Sequence, residues 1–302
     1  MKTRLWLIVA AAVACAGPQP TPKADSSWLT LSLDSLPKDS FAVSARRGLA
    51  ILMNTHDSLP DYAPSALRCS SCHLNGGRQP GAIPLYGTYG RYPAFSARAG
   101  GVVSIEDRVN FCFTRSLAGW KLPEGSSEMR DILAYLAFLS HGIPAGADPA
   151  HSLIPAMPAG KGDSAAGVSL FTASCARCHG PDAAGTPLAP PLWGKRSFSI
   201  GASMAREERA AAFIRRNMPL DKPGTLTDQQ AYDLAAYITS LPRTDLPGKE
   251  TDYPMGKAPA DVPYATKDHS PTKVVPVYPR ERPREALVPL ASSVHASPRA
   301  KR

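Results

Sequence analysis

Two short segments of one pattern, Cys69-Ser-Ser-Cys72-His73 and Cys175-Ala-Arg-Cys178-His179, stand 106 residues apart and constrain this chain more than anything else in it. Two thiols at this spacing, with an imidazole directly after the second, can anchor a porphyrin through two thioethers and present a ring nitrogen to its iron. One such match is also compatible with a bare metal site or a redox dithiol. Two in one chain point to two covalently bound haem c groups, with Cys69, Cys72, Cys175 and Cys178 as anchors and His73 and His179 as proximal ligands. At 302 residues the chain can bury a core around each.

A second iron ligand should follow at a fixed distance if the two halves are copies. Met218 lies 39 residues beyond His179, in Asn217-Met218-Pro219, where proline stops the preceding helix and frees the thioether to turn towards iron. The same step from His73 reaches Cys112. A His/Met pair gives a relatively high potential suited to passing electrons on, whereas a thiolate lowers it. Cys112 has three readings: a distal ligand of the first iron, a buried inert thiol, or half of a disulfide with Cys15. The last requires a partner that is cleaved away or lipidated. His141 is the rival distal ligand, although its place beside Gly142 suits a helix C-cap.

Helical signals repeat in the two halves. The first half carries a helix from Asp39 to Asn54, then one capped by Ser104 with Asp107 in the capping-box position and running through Cys112 to a stop near Gly119. A third runs from Ser127 to a Gly142 stop. In the second half, helices are predicted over 165–174 and 206–217, and Thr227 with Gln230 forms another capping box. Asp131, Tyr135 and Leu139 recur 102 residues later as Asp233, Tyr237 and Leu241. The fold class is therefore all-α, two tandem class I cytochrome c-like domains. They divide as a catalytic domain at 35–145, a linker at 146–163 and an electron-transfer domain at 164–245. The tail at 246–302 has 10 Lys and Arg against 6 Asp and Glu, with 10 prolines; it is expected to wrap the domains as extended chain without a core of its own.

Residues 1–15 read as an export signal: Lys2 and Arg4, an apolar run from Leu5 to Val13, then small residues before Cys15. The run is too short to span a bilayer. Lipidation at Cys15 and simple soluble export both stay open, and 16–34 is a Pro/Ser/Thr-rich spacer. A periplasmic location follows, which disfavours nucleic acid as the partner of a chain with net charge +9.

On a helix, Arg108, Cys112 and Ser116 share one face, with Arg115 close by, and the loop Gly90–Arg98 brings Arg91 and Arg98 into the same domain. Solvated surface arginines and an anion pocket beside Cys112 are equally good accounts of this pattern.

Taken together, the stretches Cys69–Gly77, Gly90-Arg-Tyr-Pro93, Glu106–Asn110 with Cys112, Arg115-Ser116 and Asn217-Met-Pro219 make the chain resemble the dihaem c-type thiosulfate dehydrogenases, also called tetrathionate reductases, over roughly residues 40–265. The resemblance implies coupling of two thiosulfate ions to tetrathionate with release of two electrons, or the reverse. It implies an iron-bound active-site role for Cys112, substrate-pocket roles for Arg98, Arg108 and Ser116, and distal ligation by Met218. Some members place an iron-binding lysine before that methionine; Asn217 stands there in this chain. A soluble or membrane-associated redox partner such as a small cytochrome is implied as well. Two other functions compete: a dihaem electron shuttle with no substrate pocket, and a Sox-type sulfur-oxidising cytochrome subunit.

Overall fold

The computed structural model describes residues 38–147 and 154–280. The export signal, Cys15, the spacer at 16–34 and the last part of the tail lie outside the described residues.

In the first half, α1 (Ser40–Met53) begins at Asp39, whose Oδ1 accepts from the Ala42 amide at 2.9 Å. Helix α2 (Ile105–Phe111) starts from the predicted capping box, with Ser104 and Asp107 each accepting from the other's backbone amide. Such a cap contributes about 1 kcal/mol and fixes where the helix begins. Helix α3 (Ser127–Phe138) ends sooner than its sequence signal, because the chain turns at Leu139 and leaves the Gly142 stop unused. Between α1 and α2, the strands β1 (Ala94–Ser96) and β2 (Gly101–Val103) pair antiparallel, an addition to the all-helical expectation. The second half has α4 (Ser164–Ser174), α5 (Glu207–Asn217) and α6 (Asp228–Ser240), the last opened by the Thr227/Gln230 capping box.

The two halves share one helix crossing. Helix α1 packs on α3, and α4 on α6. A glycine sits at each crossing: a Cβ on Gly48 would lie 2.7 Å from the Asp131 carbonyl carbon, and one on Gly167 would lie 2.7 Å from that of Asp233. The recurring Asp and Tyr of the sequence therefore mark the place where two backbones touch. Phe113, Met129, Ile132, Tyr135 and Leu136 fill the first core; Phe171, Ile214, Leu234 and Ile238 fill the second. Each such side chain contributes about 1.5–3 kcal/mol when buried.

The two halves are packed together. The Ala66 amide donates to Arg196 O at 2.8 Å, and buried Asn217 donates to Gly81 O at 2.9 Å while accepting from Gln79 at 3.1 Å. Asn217 is thus a bridge between the loop after His73 and the residue before Met218.

The expectation that nothing beyond Leu246 builds a core is wrong for residues up to 280. Leu246, Tyr253, Val262, Tyr264 and Val275 close on Ile200 as a small buried cluster. Prolines keep regular secondary structure there to short pieces, but they do not prevent spaced apolar side chains from covering an existing surface. The strap ends with β4 (Val277–Tyr278) pairing parallel to β3 (Arg243–Thr244), and Arg280 donates to Gly119 O at 2.9 Å and Thr114 O at 2.6 Å.

Candidate active site

The two Cys-x-x-Cys-His segments have the same local chemistry. His73 Nδ1 lies 2.5 Å from Ile83 O, and His179 Nδ1 lies 2.8 Å from Pro190 O. A carbonyl can only accept, so each Nδ1 carries the proton and each Nε2 keeps a lone pair for a metal. None of the four motif cysteines is in a disulfide. This donor set fits a covalently anchored haem in both halves. Arg243 is a further sign of an anionic group: it is fully buried, 4.3 Å from the Phe198 ring centre, and its Nε and Nη1 have no partner among the described residues. Burial pushes that guanidinium down to about 9. An uncompensated buried cation is costly unless a carboxylate reaches it, and a haem brings carboxylates.

The halves diverge at the residues that carry Cys112 and Met218. In the second, α5 ends at Asn217 and Met218 leaves the helix in extended conformation, packing on the same apolar cluster as Cys175. In the first, the helix that carries Cys112 does not continue regularly. Residues Cys112–Ser116 form a π-helical turn, closed by the Leu117 amide donating to Cys112 O at 2.9 Å. Such wide turns insert one residue and re-aim side chains, often at functional sites. Buried Asn110 holds the turn by exchanging hydrogen bonds with the Leu122 backbone at 2.8 and 3.1 Å.

Arg108 and Cys112 meet as the helical spacing predicts, with Nη1 2.9 Å from Sγ. Cys112 also faces the His73 ring. Enclosure by protein would raise this thiol, but the charge of Arg108 together with His73 outweighs that and lowers it to about 6. The surroundings of this sulfur therefore favour its anionic form. His141 is exposed in the turn after α3, beyond the C-cap Leu139, and is not the cap residue that its place beside Gly142 suggested.

Beside this pair opens a cavity of about 270 Å³. Arg108, Arg115 and Ser116 line it from α2 and the π-turn, and Tyr92, Phe95 and Arg98 from the hairpin region. Gly201 and Ser203 of the second half close it. The predicted Arg98, Arg108 and Ser116 are thus brought together, joined by Arg115. Arg91 instead turns to Thr88 Oγ1 at 3.2 Å and does not line the cavity. Arg98 and Arg115 are both tied to Asp252 of the strap, at 2.8 and 2.5 Å. Asp252, Gly201 and Ser203 were missed from sequence, and no local signal marks them.

Comparisons with known proteins agree with this geometry. The SoxA/TsdA cytochrome c domain family matches residues 62–145 and the cytochrome c family matches 164–242. The chain is 38% identical to the thiosulfate dehydrogenase of Psychrobacter arcticus over 76% of this chain and 72% of that one. It is 37% identical to that of Allochromatium vinosum over 79% and 91%. The solved thiosulfate dehydrogenase TsdBA of Marichromatium purpuratum superposes with a TM-score of 0.69 at 30% identity, over 72% of this chain; the match spans half of that longer chain. On the strength of these matches and of two haem-anchoring sites with their histidines already oriented, the chain belongs to the thiosulfate dehydrogenase family and carries two covalently bound haem c groups.

Proposed function

We propose that this protein couples two thiosulfate ions to one tetrathionate, releasing two electrons, and that the same site runs the reaction in reverse when electrons are supplied. The observation that carries this reading is the Arg108–Cys112 contact at 2.9 Å, with Arg108 also lining a cavity together with Arg98 and Arg115. In this reading Cys69, Cys72, His73 and Cys112 would hold the first haem, and Cys175, Cys178, His179 and Met218 the second. Bound there, a haem supplies an iron that changes by one electron at a time, which suits the stepwise export of two electrons.

The chain's own residues do the rest. Arg108 keeps the Cys112 sulfur anionic and fixes its direction. Arg98, Arg115 and Ser116 face the oxyanion ends of the substrate. Two dianions about 4 Å apart at an effective dielectric of about 20 repel by roughly 16 kcal/mol, whereas a guanidinium at that distance from a dianion returns about 8. One cation is then too few to hold a pair of thiosulfates, so several must share the site. The tetrathionate formed has two charges where the two thiosulfates had four, so the same cations hold product less strongly than the reacting pair.

We further propose the division at 35–145 and 164–245, export to the periplasm through residues 1–15, and delivery of electrons to a small cytochrome or similar carrier. A pure electron shuttle has no use for the arginine-lined cavity. The test is Cys112→Gly in dihaem protein assayed with thiosulfate and ferricyanide. Turnover is expected to fall by at least about a thousandfold with both haems still attached. Retained thiosulfate oxidation would refute the assignment.

A further inference from the structure

Residues 245–280 lie beyond both matched domains, yet they hold two of the arginines that line the cavity. Asp252 is 5% exposed and accepts from Arg98 Nε at 2.8 Å and from Arg115 Nη2 at 2.5 Å. Tyr264 donates its hydroxyl to Asp252 Oδ2 at 2.7 Å and accepts from Arg98 Nη2. The backbone joins in: the Tyr253 amide donates to Arg98 O at 2.9 Å, and Pro254 lies against Gly100 in the hairpin turn. Arg98 keeps a second anchor in Gly201 O at 2.8 Å. Arg115 has less, since its Nε has no partner and its remaining contact is the Phe111 ring, 4.4 Å from centre to guanidinium carbon. Two guanidinia that line one cavity repel each other, and a single carboxylate bonded to both holds them in place.

Resting on the function proposed above, we propose that Asp252, braced by Tyr264, is a positioning residue: it fixes Arg98 and Arg115 so that their free N–H groups meet the sulfonate ends of thiosulfate and tetrathionate. The strap is then part of the active site and not a wrapping. The sign of the effect separates this role from simple electrostatics. Removing a carboxylate adds positive charge, which by attraction alone would tighten the binding of an anion. Loss of positioning loosens it, because two mobile, mutually repelling guanidinia must be ordered by the ligand itself.

Tetrathionate added to the fully oxidised holoprotein binds without turnover, since no electrons are available, so titration calorimetry reads affinity alone. Asp252→Asn is expected to raise the Kd for tetrathionate and the KM for thiosulfate at least tenfold, with kcat within about threefold and both haem spectra unchanged. An unchanged or lower Kd would overturn the proposal. Should that variant fail to accumulate as dihaem protein, Tyr264→Phe decides, with a rise of about threefold in both constants expected and no change counting against the clamp. Wild-type protein that neither oxidises thiosulfate nor binds tetrathionate would defeat the function itself; active wild type with an indistinguishable Asp252→Asn variant defeats the clamp alone.

Discussion

The two halves of this molecule are one helical frame used twice, and they differ where a ligand must face the histidine. Gly48 and Gly167 make the same close crossing, Asp131 and Asp233 lie under it, and His73 and His179 are oriented by the same carbonyl bond. In the second half a regular helix ends at Asn217 and Met218 follows in extended chain. Opposite His73 a capped helix runs into a π-turn, which presents Cys112 beside Arg108 and turns Arg115 and Ser116 into a cavity. The frame therefore repeats, and a five-residue turn is where the two halves part.

If that is the difference, Cys112→Met should turn the first half into a second copy of the other. Thiosulfate turnover is expected to fall by at least about a thousandfold, roughly 4 kcal/mol in the barrier, while the first haem's reduction potential rises towards that of the second. Redox titration followed by the haem bands checks both; a variant that keeps turnover breaks the comparison. The shared frame makes a smaller prediction. Gly48→Ala and Gly167→Ala should each destabilise the holoprotein by about 2–3 kcal/mol, since either methyl group must push apart two helices in contact. Thermal unfolding that shows one costly and the other neutral would mean the crossings are not equivalent.

Sequence reading succeeded where the determinants are local. Capping boxes placed the starts of the helices at Ile105 and Asp228. The Arg108–Cys112 contact followed from four-residue spacing. The π-turn left no trace, because it is set by how Asn110 holds the Leu122 loop and not by residue preference. Arg98 was read as a loop cation near the site; its actual direction depends on Asp252, 154 residues away, and on Gly201, 103 away. The tail was misjudged for a related reason: its composition excludes regular elements, but the partner surface around Ile200 exists only in the folded chain.

The central claim is that a thiolate from residue 112 and the ring of His73 share the first iron while Met218 and His179 share the second. Electron paramagnetic resonance of the oxidised holoprotein, wild type beside Cys112→Gly, tests it most directly. The account predicts a low-spin histidine/thiolate signal that disappears in the variant, with the histidine/methionine signal unchanged. Two histidine/methionine signals, or a first-haem signal indifferent to the loss of Cys112, would contradict it.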